Sequence, residues 1–257
     1  MKLQKQESIK SNTNKKIKKK LINREISWLQ FNTRVLQEAE DPRTPLLERL
    51  KFLGIYSSNL DEFFSVRVGT IIRMIKQGER PPTFYGGSPN RILKQIDEIV
   101  IKNRDRFEQT FGEIMRQLEE ENIYFINETQ LSPQQEKYID TFFHLKLRPR
   151  LIPIMLDSLK KFPYLKSTLI YLAVELKLKN YKEKYALIEI PTDIMNRFVI
   201  LPKEETKQYI IMLDDVIRYG LNEIFSIFSP VSVKAYAIKI TRDAELDISE
   251  DITISFF

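Results

Sequence analysis

The residues best placed to do chemistry cluster in Leu53-Gly54-Ile55-Tyr56-Ser57-Ser58-Asn59-Leu60-Asp61-Glu62-Phe63-Phe64. The spacing reads as the end of one amphipathic helix, a sharp corner and the start of another. Asn59 stands where an N-cap is favoured, and Glu62, three places on, completes a capping-box pattern. A helix start at a tight corner leaves backbone N–H groups and a side-chain amide free for a ligand. An amide both donates and accepts. Two roles for Asn59 therefore stand side by side: a plain helix cap, or a ligand contact.

The other candidates are weaker. Asp61 and Glu62 are adjacent, so on a helix they diverge and cannot form an acid–base pair; in a first turn they suit the positive end of the macrodipole. Arg67 shares a helical face with Phe63, Thr70, Ile71 and Met74, which predicts a packed stem and a head at a rim or paired. His144, the sole histidine, reads as an ordinary helix residue. Thr241-Arg242-Asp243 leaves a strand with an arginine and an acid that could orient a neighbouring domain or simply pair. No catalytic residue and no metal ligand set is assigned. There is no G-x-x-x-x-G-K-[ST] loop, no G-x-G-x-x-G, and no carboxylate cluster spaced for magnesium. Gly86-Gly87 lacks the lysine of a phosphate cradle. With no cysteine and one histidine, disulfides and thiolate metal sites are excluded, and a structural zinc site nearly so.

The elements that position these residues follow from periodicity. A helix is expected from Ser27 to Ala39 with Trp28, Phe31, Val35, Leu36 and Ala39 as its stripe. Asp41-Pro42 ends it, and Thr44-Pro45 opens a second as N-cap and N1. A third starts at Leu60 and buries Phe63, Phe64, Val68, Ile71 and Met74 or Ile75, with Gly78 and Pro81-Pro82 as its stop. Ser88-Pro89 caps the longest, Asn90 to Glu121. Four helices with short links enclose a bundle over residues 21–122. Residues 123–257 change character. Ile123–Ile126 is a short strand, and Ser132-Pro133-Gln134-Gln135 opens a helix to Leu147. Ser167–Lys177, Tyr185–Ile190, Arg197–Leu201, Tyr209–Leu213 and Val231–Ile240 read as strands, and Asp214 as the cap of a helix through Phe225. The fold class is α+β, a helical bundle followed by an α+β head domain with a mainly antiparallel sheet. The closing Ser249–Phe257 reads as a helix cut short.

Charge is unevenly placed. Residues 1–20 hold eight lysines against Glu7, so although the whole chain carries +6, the remaining 237 residues sum to −1. The tail reads as disordered and basic, either a plain solvated segment or a loose grip for a polyanion or an acidic membrane surface. A near-neutral body argues against nucleic acid. No apolar run spans a bilayer, so membrane association is at most peripheral, and a cytoplasmic location is expected.

The stretch 53–64, with Ile22-Asn23-Arg24-Glu25-Ile26-Ser27-Trp28-Leu29-Gln30-Phe31-Asn32 and Pro45-Leu46-Leu47-Glu48-Arg49-Leu50, resembles the N-terminal domain of the long bacterial polyphosphate kinases. The resemblance resumes at Tyr185–Pro191, Arg197-Phe198-Val199, Asp214–Arg218 and Thr241–Glu245. It implies an enzyme that reversibly moves the terminal phosphate of ATP onto polyphosphate through a phosphohistidine, with magnesium, as a homo-oligomer. It also implies that the catalytic domains lie beyond this stretch, that His144 is not the nucleophile, and that the head domain carries much of the dimer contact. By resemblance Asn59 aligns with the asparagine that contacts ATP on its base side. The alternative is a stand-alone, non-catalytic binding or oligomerisation module.

Overall fold

The computed structural model describes residues 22–78, 87–167, 169–179 and 182–242. The basic tail, the turn at Pro81-Pro82, Gly86, Asp243 and the closing helix expected at 249–257 lie outside them. Asn23 opens α1 (Arg24–Glu40), its Oδ1 accepting from the N–H groups of Glu25 at 2.9 Å and Ile26 at 3.4 Å. The helix thus begins a turn earlier than Ser27. Its inner face is Leu29, Asn32, Leu36 and Ala39, while Phe31, expected inside, is exposed. After Asp41 the chain turns into α2 (Leu46–Glu62). Pro45 itself takes the cap position and no side chain caps the helix, so Thr44 does not serve as expected.

The corner expected before Leu60 does not exist. α2 passes without a break through Tyr56 and Asn59 into a π-helical turn (Phe63–Val68) and on into α3 (Gly69–Gln77), ending at Gly78 with φ of 69°. Glu62 has φ of −62° and ψ of −43°, ordinary helix, so neither the N-cap at Asn59 nor a capping box with Glu62 is formed. The physical reason lies in the spacing of buried residues. Leu53, Tyr56, Phe63, Val68 and Ile71 are buried, and the step from Phe63 to Val68 is five residues, one more than an α-helical stripe allows. The wider π turn absorbs the extra residue and keeps both halves of the rod facing inward.

Ser88 Oγ accepts from Arg91 N–H at 3.3 Å and opens α4 (Pro89–Glu120), as the sequence predicts. The helical part is therefore three long rods rather than four helices. Two apolar clusters hold them together. One gathers Leu29, Phe63, Val68, Ile71, Ile92 and Ile96; the other gathers Leu36, Ala39, Leu53, Tyr56, Ile114 and Leu118.

Asn122, at φ of 62°, turns the chain into β1 (Ile123–Ile126). Its Ile123 and Phe125 pack on the second helical cluster, whereas Ile126 packs on the core of the sheet domain. Ser132 opens the expected helix, α5 (Pro133–Phe142), through a capping box with Gln135, and the helix continues through a π turn to Leu147. Then come β2 (Ile154–Met155), β3 (Ile170–Lys177), β4 (Glu183–Glu189), β5 (Phe198–Ile200) and β6 (Gln208–Met212). Next are α6 (Leu213–Tyr219), α7 (Leu221–Ile224) and β7 (Ser232–Lys239). One sheet is fully antiparallel in the order β2-β4-β3-β7. The other runs β1-β6-β5, with β1 parallel to β6 and β5 antiparallel. The α+β class, helical first and mainly antiparallel after, is as expected.

Asp214 does not cap its helix. Strand β6 runs straight into α6 with Met212 at the cap position, and Asp214 sits buried in the first turn, its carboxylate facing Arg197 and Arg218. The expected helix to Phe225 is broken at Gly220, where a Cβ would overlap the Phe143 ring.

Candidate functional site

Between the two apolar clusters of the helical part lies a polar waist. Asn32, fully buried on α1, donates from Nδ2 to the backbone carbonyl of Tyr56 at 3.1 Å, and its Oδ1 accepts from Asn59 Nδ2 at 3.0 Å. On the neighbouring turn Asn103 Nδ2 donates to Thr33 Oγ1 at 2.8 Å, and Thr33 donates in turn to the Leu29 carbonyl. Arg106 donates to Asn103 Oδ1 at 3.2 Å and clasps both carboxylate oxygens of Glu40, at 2.8 and 2.6 Å. Burial pushes the Tyr56 phenol up, opposed by its hydrogen bond to Asn103 and by the Arg106 charge. A polar network between three rods is stable only when its members are satisfied, and these are. Trp28 stacks on Phe63 with centroids 4.8 Å apart, one helical turn from the Asn32–Asn59 pair, and so acts as the core anchor its pattern suggests.

Asn59 is half-buried. Among the described residues nothing donates to its Oδ1, and that atom reaches solvent. Asp61, one turn end further, pairs with Lys239 at the end of β7. That contact brings the Asn59–Asp61 turn beside the strand exit leading to Arg242. Arg242 lies over the Tyr164 ring at 4.1 Å. Glu62 is exposed, and Arg67 is half-buried, its side chain without a hydrogen bond or ion pair among the described residues. His144 is not part of this group: it lies on the π turn after α5, 3.3 Å from Asp140 and 3.5 Å from Glu223.

A groove of about 360 Å³ in the sheet domain is lined by Glu128, Arg218, Asn222, Lys234 and Tyr236, among others. Arg218 is committed there, 2.6 Å from Asp215 and 3.5 Å from Asp214. Burial and the Asp214 charge raise the Asp215 carboxyl above its usual range against the pull of Arg218. This is a compact, internally compensated charge cluster.

The sequence pattern passed over Asn32. Its signal was present: Asn32 is four residues after Trp28 and four before Leu36, inside the stripe that meets α2.

The chain matches two family models, the polyphosphate kinase N-terminal domain over residues 21–126 and the polyphosphate kinase middle domain over residues 134–257. The chain belongs to the polyphosphate kinase family. It is 41% identical over 240 residues to the polyphosphate kinase of Vibrio parahaemolyticus, an alignment covering 91% of this chain and 34% of that protein. With the polyphosphate kinase of Escherichia coli K12 it shares 39% identity over 238 residues, with the same two coverages. The crystal structure of polyphosphate kinase from Porphyromonas gingivalis superposes with a TM-score of 0.76 at 35% identity, covering 87% of this chain and 33% of that one. The chain spans about a third of the length of these polyphosphate kinases.

Proposed function

We propose that this chain is the nucleotide-holding and subunit-contact portion of a polyphosphate kinase, which reversibly transfers the terminal phosphate of ATP to polyphosphate. The helical part contacts the nucleotide base through Asn59, and the sheet domain contributes to a homo-oligomer. The relatives' names support the activity, and the single observation that favours Asn59 is its amide geometry: clamped on one side, open on the other. Phosphoryl transfer works by positioning and by neutralising charge on the migrating group. Among the described residues no three histidine, cysteine or carboxylate side chains gather as a metal site. The phosphohistidine and its metal belong to other polypeptide, and these residues do not turn over alone. His144, exposed and tied to two carboxylates, is outside the chemistry.

The test is Asn59→Ala, followed by ATP affinity and by melting temperature. Loss of the bond to buried Asn32 lowers stability by about 1–3 kcal/mol. Weakened ATP binding beyond that loss supports the contact. Lower stability with unchanged affinity leaves Asn59 as a structural strut only.

A further inference from the structure

We propose that Asn32 fixes the polarity of the Asn59 amide and so makes the site select a base that offers an amine, as adenine does at purine position 6. The inference rests on the reading that Asn59 meets the base. The Tyr56 carbonyl oxygen can only accept. Asn32 must therefore turn its NH₂ toward that oxygen, as it does at 3.1 Å. Being fully buried, Asn32 has no water with which to exchange this arrangement.

The remaining side of its planar amide is Oδ1, which needs a donor, and Asn59 Nδ2 supplies it at 3.0 Å. Asn59 is then fixed in turn, with its NH₂ inward and its Oδ1 outward. Reversing Asn59 would set two amide oxygens against each other. Reversing Asn32 as well would set an oxygen against the Tyr56 carbonyl. A main-chain carbonyl inside the bundle thus dictates, through two amides, that the outward atom is an acceptor. Adenine meets it with a donor. Hypoxanthine and guanine carry an oxo group at that position, and an acceptor facing an acceptor is repelled.

The assignment belongs to Asn32 rather than Asn59, since a free asparagine would rotate to suit either base. Asn32 touches no ligand and acts as a positioning residue. Its variants separate polarity from packing. Asn32→Leu keeps the bulk and removes the relay. Asn32→Asp, held neutral by burial, keeps an O–H for the Tyr56 carbonyl and an oxygen for Asn59, and so preserves the relay.

The experiment is calorimetric titration of the 257-residue chain with ATP and with ITP, which carries the oxo group. The wild-type protein is expected to favour ATP by about tenfold, one hydrogen bond's worth. In Asn32→Leu the ratio falls to about one, and in Asn32→Asp it stays near the wild-type value. Equal wild-type affinities overturn the inference without any variant, as does a folded Asn32→Leu protein that keeps its preference. Should Asn59→Ala leave ATP affinity intact, the base-contact reading fails and takes this inference with it. Should Asn59→Ala weaken ATP while the Asn32→Leu ratio holds, only the relay is wrong.

Discussion

Arg49→Met tests whether a buried cation or the apolar clusters hold the three rods together. Arg49 is only 2% exposed. Its Nε donates to the Ala39 carbonyl at 2.7 Å, and its Nη1 donates to Gln117 Oε1 at 2.9 Å; the Glu113 carboxylate lies 3.7 Å away. One α2 side chain thus satisfies a last-turn carbonyl of α1 and reaches α4. Methionine keeps most of the volume but leaves the Ala39 carbonyl, on a fully buried residue, without its donor. An orphaned buried acceptor costs about 1–3 kcal/mol. Gln117 loses less, because it is half-exposed and already donates to Glu113 at 3.1 Å. Against the loss stands relief: Arg49 Nη2 has no hydrogen bond, and its desolvation disappears with the charge. We expect a net loss of about 2 kcal/mol, or a melting temperature lower by about 4–8 °C for a chain of this size. Thermal unfolding followed by Trp28 fluorescence and by far-ultraviolet circular dichroism measures it, with coincident transitions required. A variant as stable as the wild type would show that relief of Arg49 desolvation outweighs the carbonyl bond, and would refute the expected loss.

Two further expectations rest on single contacts. Gly220→Ala forces a methyl into the Phe143 ring and should cost about 1–3 kcal/mol of stability, most of it recovered when Phe143→Leu is added; denaturant melts of the two single variants and the double variant check this. The Asp41 carboxyl, hydrogen-bonded by the Arg43 side chain and N–H, titrates at about 2 rather than 3.8. A folded value below the unfolded one means that this group's contribution is complete above the ordinary range and is lost as pH falls toward about 2. Carboxyl ¹³C titration by NMR should show the low midpoint in the wild type and its return toward 3.8 in Arg43→Gln.

The fold was legible wherever a cap and a hydrophobic period agreed. Ser88-Pro89 before a sustained stripe placed α4, and Ser132 with Gln135 placed α5. Ile123–Ile126, bounded by polar turns, placed β1. The missing corner has a different explanation: a five-residue step in a buried stripe looks the same whether the chain turns or widens its helix. Asn59 followed by two acids then supplied a cap signal that tertiary packing overrode. Asp214 misled in the same way, because an acid near a helix start is equally at home as a cap or as the buried partner of Arg197 and Arg218. The pairing of β3 with β7 joins Ile170 to Lys239, a separation over which local patterns carry no information. Asn32 was hidden because hydrophobic patterning scores an asparagine as facing out. At the candidate site, the sequence supplied Asn59 through family resemblance, and the structure supplied what holds it.

The π turn at Phe63–Val68 also sets how this region tolerates changes in length. Deleting one residue between Phe63 and Val68 would let the segment relax to plain α-helix, locally the easier conformation. Because the wide turn already absorbs one extra residue, its loss would leave the downstream helix in its present phase, whereas a residue deleted elsewhere in the rod would rotate everything after it by about 100°, the angle per residue of an α-helix. A deletion within α2 would thus swing Ile71 out of the rod-to-rod seam, and one inside the π turn would not. Changes in length are therefore governed by phase rather than by room, and the π turn is where this rod can lose a residue and keep its phase.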